Sequence, residues 1–307
     1  MQRSGSAKAG PFPTHADLLP MPFSFRALRL GLITLVIVLG TVLCASWAMH
    51  QAKRQAMEAD ARRASQQLGL YANALHTLID RYRALPAVLA LDPELIDALR
   101  GPVQEQTQAA LNRKLERING AANSSTLELL DRNGLAVAAS NWRLPTSYVG
   151  SNYGFRPYFK QTRSLGNGRF YAVGVTSGVP GYFLSSAVND EQGRFLGAMV
   201  VKLEFPELER EWRQGSDILL VSDARGITFI ANQDGWRYRE LRPLDGADRA
   251  ELAQTRQYDK HPLIPLMHQV LTRFAENSTL SRVQAPQGET DFLWESLPLE
   301  SEQRSEE

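Results

Sequence analysis

The sequence predicts an α+β protein in which an apolar helix and a long second helix precede two copies of one small sheet domain. An uncharged run covers residues 30–49, a heptad-like series of apolar residues follows it, and one hairpin pattern occurs twice, 92 residues apart. In the first copy the hairpin is followed by a helix and three further strands. This order makes an α+β unit with one central antiparallel sheet.

The apolar run, LGLITLVIVLGTVLCASWAM, is interpreted as a transmembrane helix. Its 20 residues match a hydrocarbon core of ~30 Å. The alternative is a cleaved signal peptide, because Ser46-Trp47-Ala48 offers the small residues that a signal peptidase accepts. The 29 residues before the run favour an uncleaved anchor. Residues 1–29 are then a cytoplasmic segment, residues 30–49 the span, and the large polar remainder is exported.

A long helix is predicted over residues 50–85. Apolar residues recur in alternating steps of four and three until Pro86: Met57, Ala61, Ala64, Leu68, Tyr71, Leu75, Leu78 and Tyr82. Two interpretations of this series stay open. It packs against its own domain, or it pairs with a second copy of the chain.

The two sheet domains are placed at residues 86–204 and 205–299, with a charged tail at 300–307. The segments LELLDRNGLAVAAS and ILLVSDARGITFIAN each predict a strand, a turn closed by glycine, and a strand. In the first domain, helices precede the hairpin, RPYFKQTRS predicts a short helix, and strands are expected at 169–176, 181–188 and 195–203. FPELEREW leads helically into the second, less regular copy.

Composition excludes several classes of function. Lys and Arg number 34 against 33 Asp and Glu, so the formal charge is +1, and without a long basic run a nucleic acid is not expected as partner. One cysteine, Cys44, permits no thiolate zinc site, and the five histidines show no metal-ligand spacing. No nucleotide-phosphate loop or serine nucleophile motif is present. The prediction is therefore no catalytic residue and no metal.

Candidate binding residues lie in three segments. Lys202 ends the strand GAMVVKLEF on the same face as Ala198 and Val200, where it is either a solvated strand end or a cation facing a pocket. Arg156 lies among aromatic residues and needs an anion if it is buried, either a nearby Asp or Glu or a ligand carboxylate. The turn TSGVPG supplies the hydroxyls of Thr176 and Ser177 and several backbone amides, groups that suit an anion.

Three motifs, GSNYGFRPYF, GRFYAVGVTSGVPGYFLS and GAMVVKLEF, follow ASNW in this order. With them the chain resembles the periplasmic sensing region of DctB-type four-carbon dicarboxylate sensor histidine kinases. The resemblance extends from the apolar run to about Pro298. It implies tandem PAS-like domains, also called a double Cache fold, on a long helix, with succinate, fumarate or malate bound in the membrane-distal copy.

The resemblance also implies roles for individual residues. Arg156 would clamp one carboxylate of the ligand, while Lys202, Thr176 and Ser177 would hold the other end. Tyr153, Tyr158 and Tyr182 would wall the pocket. Two cations would balance two carboxylates, so a monoacid would leave one cation unpaired at a cost of roughly 1 to 3 kcal/mol.

Further expectations follow for the whole system. Such sensors lie in the bacterial inner membrane, dimerise through the long helix, and act with a response regulator and a dicarboxylate transporter. Their cytoplasmic kinase uses ATP. None of the five histidines here is followed by the Glu usual at a phosphoacceptor site, so the chain is expected to be a truncated sensor without kinase activity or cofactor. The alternative is a chemoreceptor-like or orphan double Cache module for another small carboxylate.

Overall fold

The computed structural model describes residues 25–259 and 261–299 of the chain. The predicted tail at 300–307 and most of the N-terminal segment at 1–29 lie outside these residues. The chain divides into two compact units, Met1–Asp60 and Ala61–Glu307.

Helix α1 covers Phe25–Arg83, which confirms that the apolar run and the heptad-like series are both helical. In the first unit, the apolar side chains from Leu28 to Met49 are exposed, each by more than half of its surface. A window of this helix has a mean hydropathy of 2.3, and in the part of the chain described it is the one helix long and apolar enough to cross a membrane.

The second unit contains the remaining elements. The helices are α2 Leu85–Ala90, α3 Pro93–Ala98, α4 Glu105–Ala122, α5 Pro157–Leu165, α6 Pro206–Trp212 and α7 Gly246–Thr255. The strands are β1 Thr126–Asp131, β2 Ala136–Ala139, β3 Asn167–Val173, β4 Pro180–Asn189, β5 Phe195–Leu203, β6 Leu220–Ser222, β7 Thr228–Ala231, β8 Arg239–Glu240, β9 Ile264–Pro265, β10 His268–Arg273, β11 Ser278–Ala285 and β12 Gly288–Glu295.

The first five strands form one antiparallel sheet in the order β2-β1-β5-β4-β3. Strand β5 lies at its centre and pairs Lys202 with Thr126 of β1 and with Phe183 of β4. Successive side chains point to opposite faces. Met199 and Val201 therefore pack on one face, while Val200 packs on the other, as the sequence predicts.

The first face of this sheet is covered by helices. Leu127 and Val201 pack in one core cluster with side chains of α2, α4 and α6. The last part of the heptad-like series joins this core, because Leu75 and Tyr82 are buried there and the Tyr82 hydroxyl donates to the Asn123 carbonyl over 2.7 Å. From Tyr71 to Tyr82 the series thus packs against its own domain. Pairing with a second copy stays a prediction.

The hairpin pattern is repeated in three dimensions. In β1-β2 the Asp131 carboxylate accepts the amides of Asn133 and Leu135, and Gly134 takes a φ of +82°. In β6-β7, 92 residues later, Asp223 accepts the corresponding amides and Gly226 takes a φ of +76°. The second copy is less regular, as expected, since its strands form one three-stranded and two two-stranded sheets. The exact boundaries placed at 86–204 and 205–299 stay predictions.

Candidate functional site

The turn between β3 and β4 presents the hydroxyls that the sequence marks. Strand β3 ends at Val173, three residues before the predicted end, because the Gly174 amide bonds the Val179 carbonyl over 3.0 Å and closes the turn. Gly178 takes a φ of +70°, a conformation that residues with a side chain rarely adopt. This tight backbone leaves the side chains of Thr176 and Ser177 free to bond residues of the sheet and the preceding loop.

Lys202 is buried beneath that turn, so the interpretation as a solvated strand end is wrong. Its ammonium lies 2.9 Å from the Val179 carbonyl and 3.3 Å from both the Ser177 and Tyr148 hydroxyls. It also forms an ion pair with the Glu204 carboxylate at 2.5 Å. The Lys202 side chain is 0% exposed, against 27% for Glu204.

Arg156 is also buried, with 1% of its surface exposed. Its guanidinium carbon lies 5.2 Å from the centre of the Phe155 ring, in the aromatic setting that the sequence predicts. Among residues 25–259 and 261–299, no Asp or Glu accepts a hydrogen bond from it. Instead the guanidinium donates to the carbonyls of Thr255 and Arg256 over 3.0 and 2.9 Å, and to that of Val173 over 2.6 Å.

These bonds connect the two sheet domains. Thr255 and Arg256 lie at the C-terminal end of α7 in the second domain. The last carbonyls of a helix lack partners within it and carry partial negative charge, so a buried guanidinium stabilises them. Arg156 lies at the position just before α5, where the chain is extended and Pro157 begins the helix. The start of α5 therefore fixes the direction in which the Arg156 side chain leaves the backbone.

Three tyrosines and a carboxyl group complete the site. The Tyr153 hydroxyl lies 2.7 Å from that of Thr176, and the Tyr148 hydroxyl lies 3.2 Å from that of Ser177. Tyr158 stacks on Phe183 with ring centres 5.1 Å apart. The Tyr158 hydroxyl points to the carboxyl of Glu128 on β1, at 3.4 Å.

These groups enclose a small cavity. It is lined by Glu128, Tyr148, Tyr153, Arg156, Tyr158, Gly174, Val175, Thr176 and Phe183. The space that a water centre can occupy is about 10 Å³, roughly room for one water molecule. Lys202 and Ser177 lie behind the Tyr148 hydroxyl at one end of it. Any ligand larger than water requires these side chains to move apart.

Comparison with known proteins gives three informative matches, although no protein-family profile matches the chain. The C4-dicarboxylate transport sensor protein DctB of Rhizobium meliloti is 39% identical over 197 residues, and that of Pseudomonas aeruginosa is 34% identical over 252 residues. The alignments cover 64% and 81% of this chain. They cover only 31% and 40% of the relatives, so this chain spans less than half of their length.

The third match is a solved structure, the sensor domain of the V. cholerae histidine kinase DctB. It superposes with a TM-score of 0.70 at 28% identity, over 78% of this chain and 93% of that domain. This chain carries a DctB-type sensing region. The fold predicted from the motifs, two PAS-like domains that follow a long helix, is confirmed with it.

Burial governs the electrostatics of the candidate site in this DctB-type region. Burial is the main cause that lowers the pKa of both Lys202 and Arg156, because the uncharged form of each group loses less hydration free energy when it leaves water. Glu204 opposes this effect at Lys202. Desolvation also raises the pKa of Tyr148, Tyr153 and Tyr158, so these hydroxyls stay protonated and act as donors. The site therefore offers two cations and a set of neutral donors.

One residue predicted to wall the pocket, Tyr182, does not line this cavity. Tyr182 precedes Phe183 on β4, and neighbouring residues of a strand point to opposite faces. Phe183 lines the cavity, whereas Tyr182 packs on the other face with the cluster that contains Tyr171 and Ile227. Its side chain is therefore no part of the cavity wall.

Two residues that line the cavity, Glu128 and Tyr148, were not predicted from the sequence. Glu128 is 1% exposed and is a lone acid in the strand TLELL, on the face that also carries Thr126 and Leu130. A charged residue at an inward position of a buried strand is the signal that would have found it. Tyr148 belongs to a loop, where no periodicity marks it.

Proposed function

We propose that this chain is a membrane-anchored extracytoplasmic sensor that binds a C4-dicarboxylate in its first sheet domain and signals in a two-component system. One observation carries the proposal: the buried cation Arg156 lines a small cavity rich in hydroxyl groups, and a second buried cation, Lys202, bonds the Tyr148 hydroxyl that lines it. Buried charge costs free energy that a bound anion recovers. Relatives named as C4-dicarboxylate transport sensors support the choice of anion.

The N–H groups of Arg156 that do not bond backbone carbonyls support its binding of one ligand carboxylate. Five N–H groups project from a guanidinium, and three bonds to backbone carbonyls are formed here. The remaining N–H groups hold a carboxylate without loss of the contacts to α7. Thr176 and Tyr153 line the same cavity, with their hydroxyl oxygens 2.7 Å apart, and they add hydroxyl donors.

The second carboxylate of the ligand is proposed to replace Glu204 as the ion-pair partner of Lys202. The ammonium is bound to Glu204, whose side chain is partly exposed and able to turn toward water. A ligand carboxylate then competes for the ammonium together with Ser177. The turn at residues 175–180 is half-buried or exposed, so it is the part of the wall that opens with the least loss of packing.

The wider assignment follows the same comparison. We propose an inner-membrane location with the sensing region in the periplasm, a homodimer formed through the long helix, and a cognate response regulator and dicarboxylate transporter as partners. The apolar helix in α1 supports the membrane anchor. Phosphotransfer from ATP would belong to a kinase region outside the part of the relatives that this chain matches.

Calorimetric titration of the full chain in detergent micelles tests the proposal. Succinate should bind, and butyrate should bind about 10- to 100-fold more weakly, because the monoacid forfeits one set of charge-assisted bonds. Thr176→Val, which removes one hydroxyl at nearly constant volume, should weaken succinate by about 10-fold. Arg156→Lys should weaken it further, since ammonium cannot form the two parallel bonds of the guanidinium fork.

The matched control is Arg163→Ala, which removes an exposed arginine from the same helix, α5. It should bind succinate as the unmodified chain does. Equal affinity for succinate and butyrate would contradict the proposal. Binding of a different small carboxylate in place of succinate would favour a double Cache module with another ligand.

A further inference from the structure

The carboxyl of Glu128 has one oxygen that the site leaves without a partner. Oε1 accepts from the Tyr158 hydroxyl at 3.4 Å, a long bond. Oε2 is buried and has no hydrogen-bond partner among the described residues, yet Glu128 lines the cavity. Buried polar atoms are nearly always bonded, so an unpartnered oxygen facing a cavity points to a ligand.

The groups around this carboxyl come from every element that packs on it. Lys202 lies on the neighbouring strand β5, and Tyr158 on α5. Arg156 at the start of α5 and the tyrosines 148 and 153 of the preceding loop line the same cavity. From β4 comes the uncharged ring of Phe183. Glu128 is therefore the one acid among the residues that line the cavity.

We propose that Glu128 binds the dicarboxylate in its protonated form and donates its hydroxyl to a ligand oxygen, so that binding takes up a proton from solvent wherever Glu128 is ionised in the free protein. The inference rests on the proposed function and adds a residue that sets its specificity and its dependence on pH. An ionised Glu128 would face a ligand carboxylate with two like charges and no donor between them. A neutral carboxyl instead supplies the hydrogen that both oxygens need.

The balance of charge in the site also favours a protonated Glu128 in the complex. Lys202 and Arg156 are balanced by Glu204 and by Glu128 when Glu128 is ionised, which leaves no excess of positive charge for a dianion. Protonation of Glu128 restores a net positive site. Burial raises the pKa of Glu128 to about 7, so the required proton is available near neutral pH.

Proton-linked calorimetry on the full chain in detergent micelles tests this inference. Succinate binding is measured at about pH 7.5 in two buffers that differ in ionisation heat, which gives the number of protons exchanged. We expect uptake of more than about half a proton per ligand, because more than half of Glu128 is ionised before binding at that pH. Above about pH 7 the affinity should fall by roughly 10-fold per pH unit.

Glu128→Gln is the matched control, since its amide has nearly the shape of the carboxylic acid, donates a hydrogen and does not titrate. The variant should lose the proton uptake, and its affinity for succinate should not change with pH between about pH 7 and 8.5. Titration of the ligand itself affects both proteins equally. Binding by the unmodified chain without proton uptake would overturn this inference alone. Absence of succinate binding by the folded, unmodified chain at every pH would overturn the proposed function as well.

Discussion

The two hairpins β1-β2 and β6-β7 share a backbone and differ in what they carry. Both turns place an aspartate that accepts two amides and a glycine with positive φ. Both also use a polar side chain at the end of the second strand: Ser140 accepts the Leu127 amide and Asn232 accepts the Leu219 amide, each over 2.9 Å. These shared residues specify the hairpin, and none of them lines the cavity.

The difference lies on the inward face of the first strand. Glu128 of β1 corresponds, at the offset of 92 residues, to Leu220 of β6. Strand β1 is also paired with β5, which brings Lys202 alongside, whereas β6 pairs with β7 alone. The same hairpin therefore lines a cavity in one domain and contributes packing in the other. Positions that the turn does not constrain are the ones available for binding.

The turn glycines should separate the two copies most strongly. A Cβ on Gly134 would collide with the backbone of Gly154, whose Cα lies 2.5 Å from its position, next to Tyr153 of the cavity. A Cβ on Gly226 meets the flexible Arg242 side chain at 3.2 Å. We expect Gly134→Ala to lower the free energy of unfolding by about 4 kcal/mol, from positive φ and overpacking together.

Gly226→Ala should cost only about 1 to 2 kcal/mol, because positive φ is its main penalty. Denaturant unfolding of both variants of the full chain in detergent measures the difference. Equal losses would mean that the loop before α5 is free to move away from the first hairpin.

Glu128 should give the first copy a dependence on pH that the second copy lacks. Its pKa is raised by burial from the ordinary 4.5 to about 7 in the folded chain. Between pH 4.5 and about pH 7 the Glu128 carboxyl is ionised in the unfolded chain and protonated in the folded chain. The contribution of this group to the free energy of unfolding therefore falls as the pH rises toward about 7 and is constant above it. The expected loss from this group is about 3 kcal/mol.

Glu128→Leu, which installs the residue of the second copy, isolates this effect. The unmodified chain should lose about 3 kcal/mol of its free energy of unfolding relative to the variant as the pH rises from about 4.5 to 7. Glu128→Gln should behave in the same way. A difference that is constant with pH would place an ordinary, solvated carboxyl at residue 128.

Local patterns made much of the molecule predictable. Glycine and aspartate define both turns, and strict alternation along β5 separates Lys202 from Met199 and Val201. A proline marks the start of α5 and so the place of Arg156. Each of these signals acts within a few residues of the chain, which is why the sequence reveals it.

Partners distant along the chain were not predictable. Arg156 bonds carbonyls that lie 99 and 100 residues later, and nothing local indicates that a helix end and not an acid receives it. Tyr182 was misplaced because its strand has aromatic residues on both faces, and only the packing of β4 shows which face meets the cavity. Glu204 follows β5 directly, yet its ion pair with Lys202 depends on how the chain turns after the strand.

The turn aspartates provide the smallest test of the comparison. Among the described residues the Asp131 carboxylate accepts only the two turn amides, whereas that of Asp223 also accepts the hydroxyl of the buried Tyr258 over 2.8 Å and the side-chain amide of Gln257 over 3.4 Å. Asp131→Ala should cost about 1 kcal/mol for the lost turn bonds, and Asp223→Ala about 2 kcal/mol because a buried hydroxyl loses its partner. In a background that carries both Tyr258→Phe and Gln257→Leu, the two losses should become equal within about 0.5 kcal/mol. If the gap persists without these two donors, the turn holds the second hairpin more tightly than the first, and the two copies differ in their backbone as well as in their inward faces.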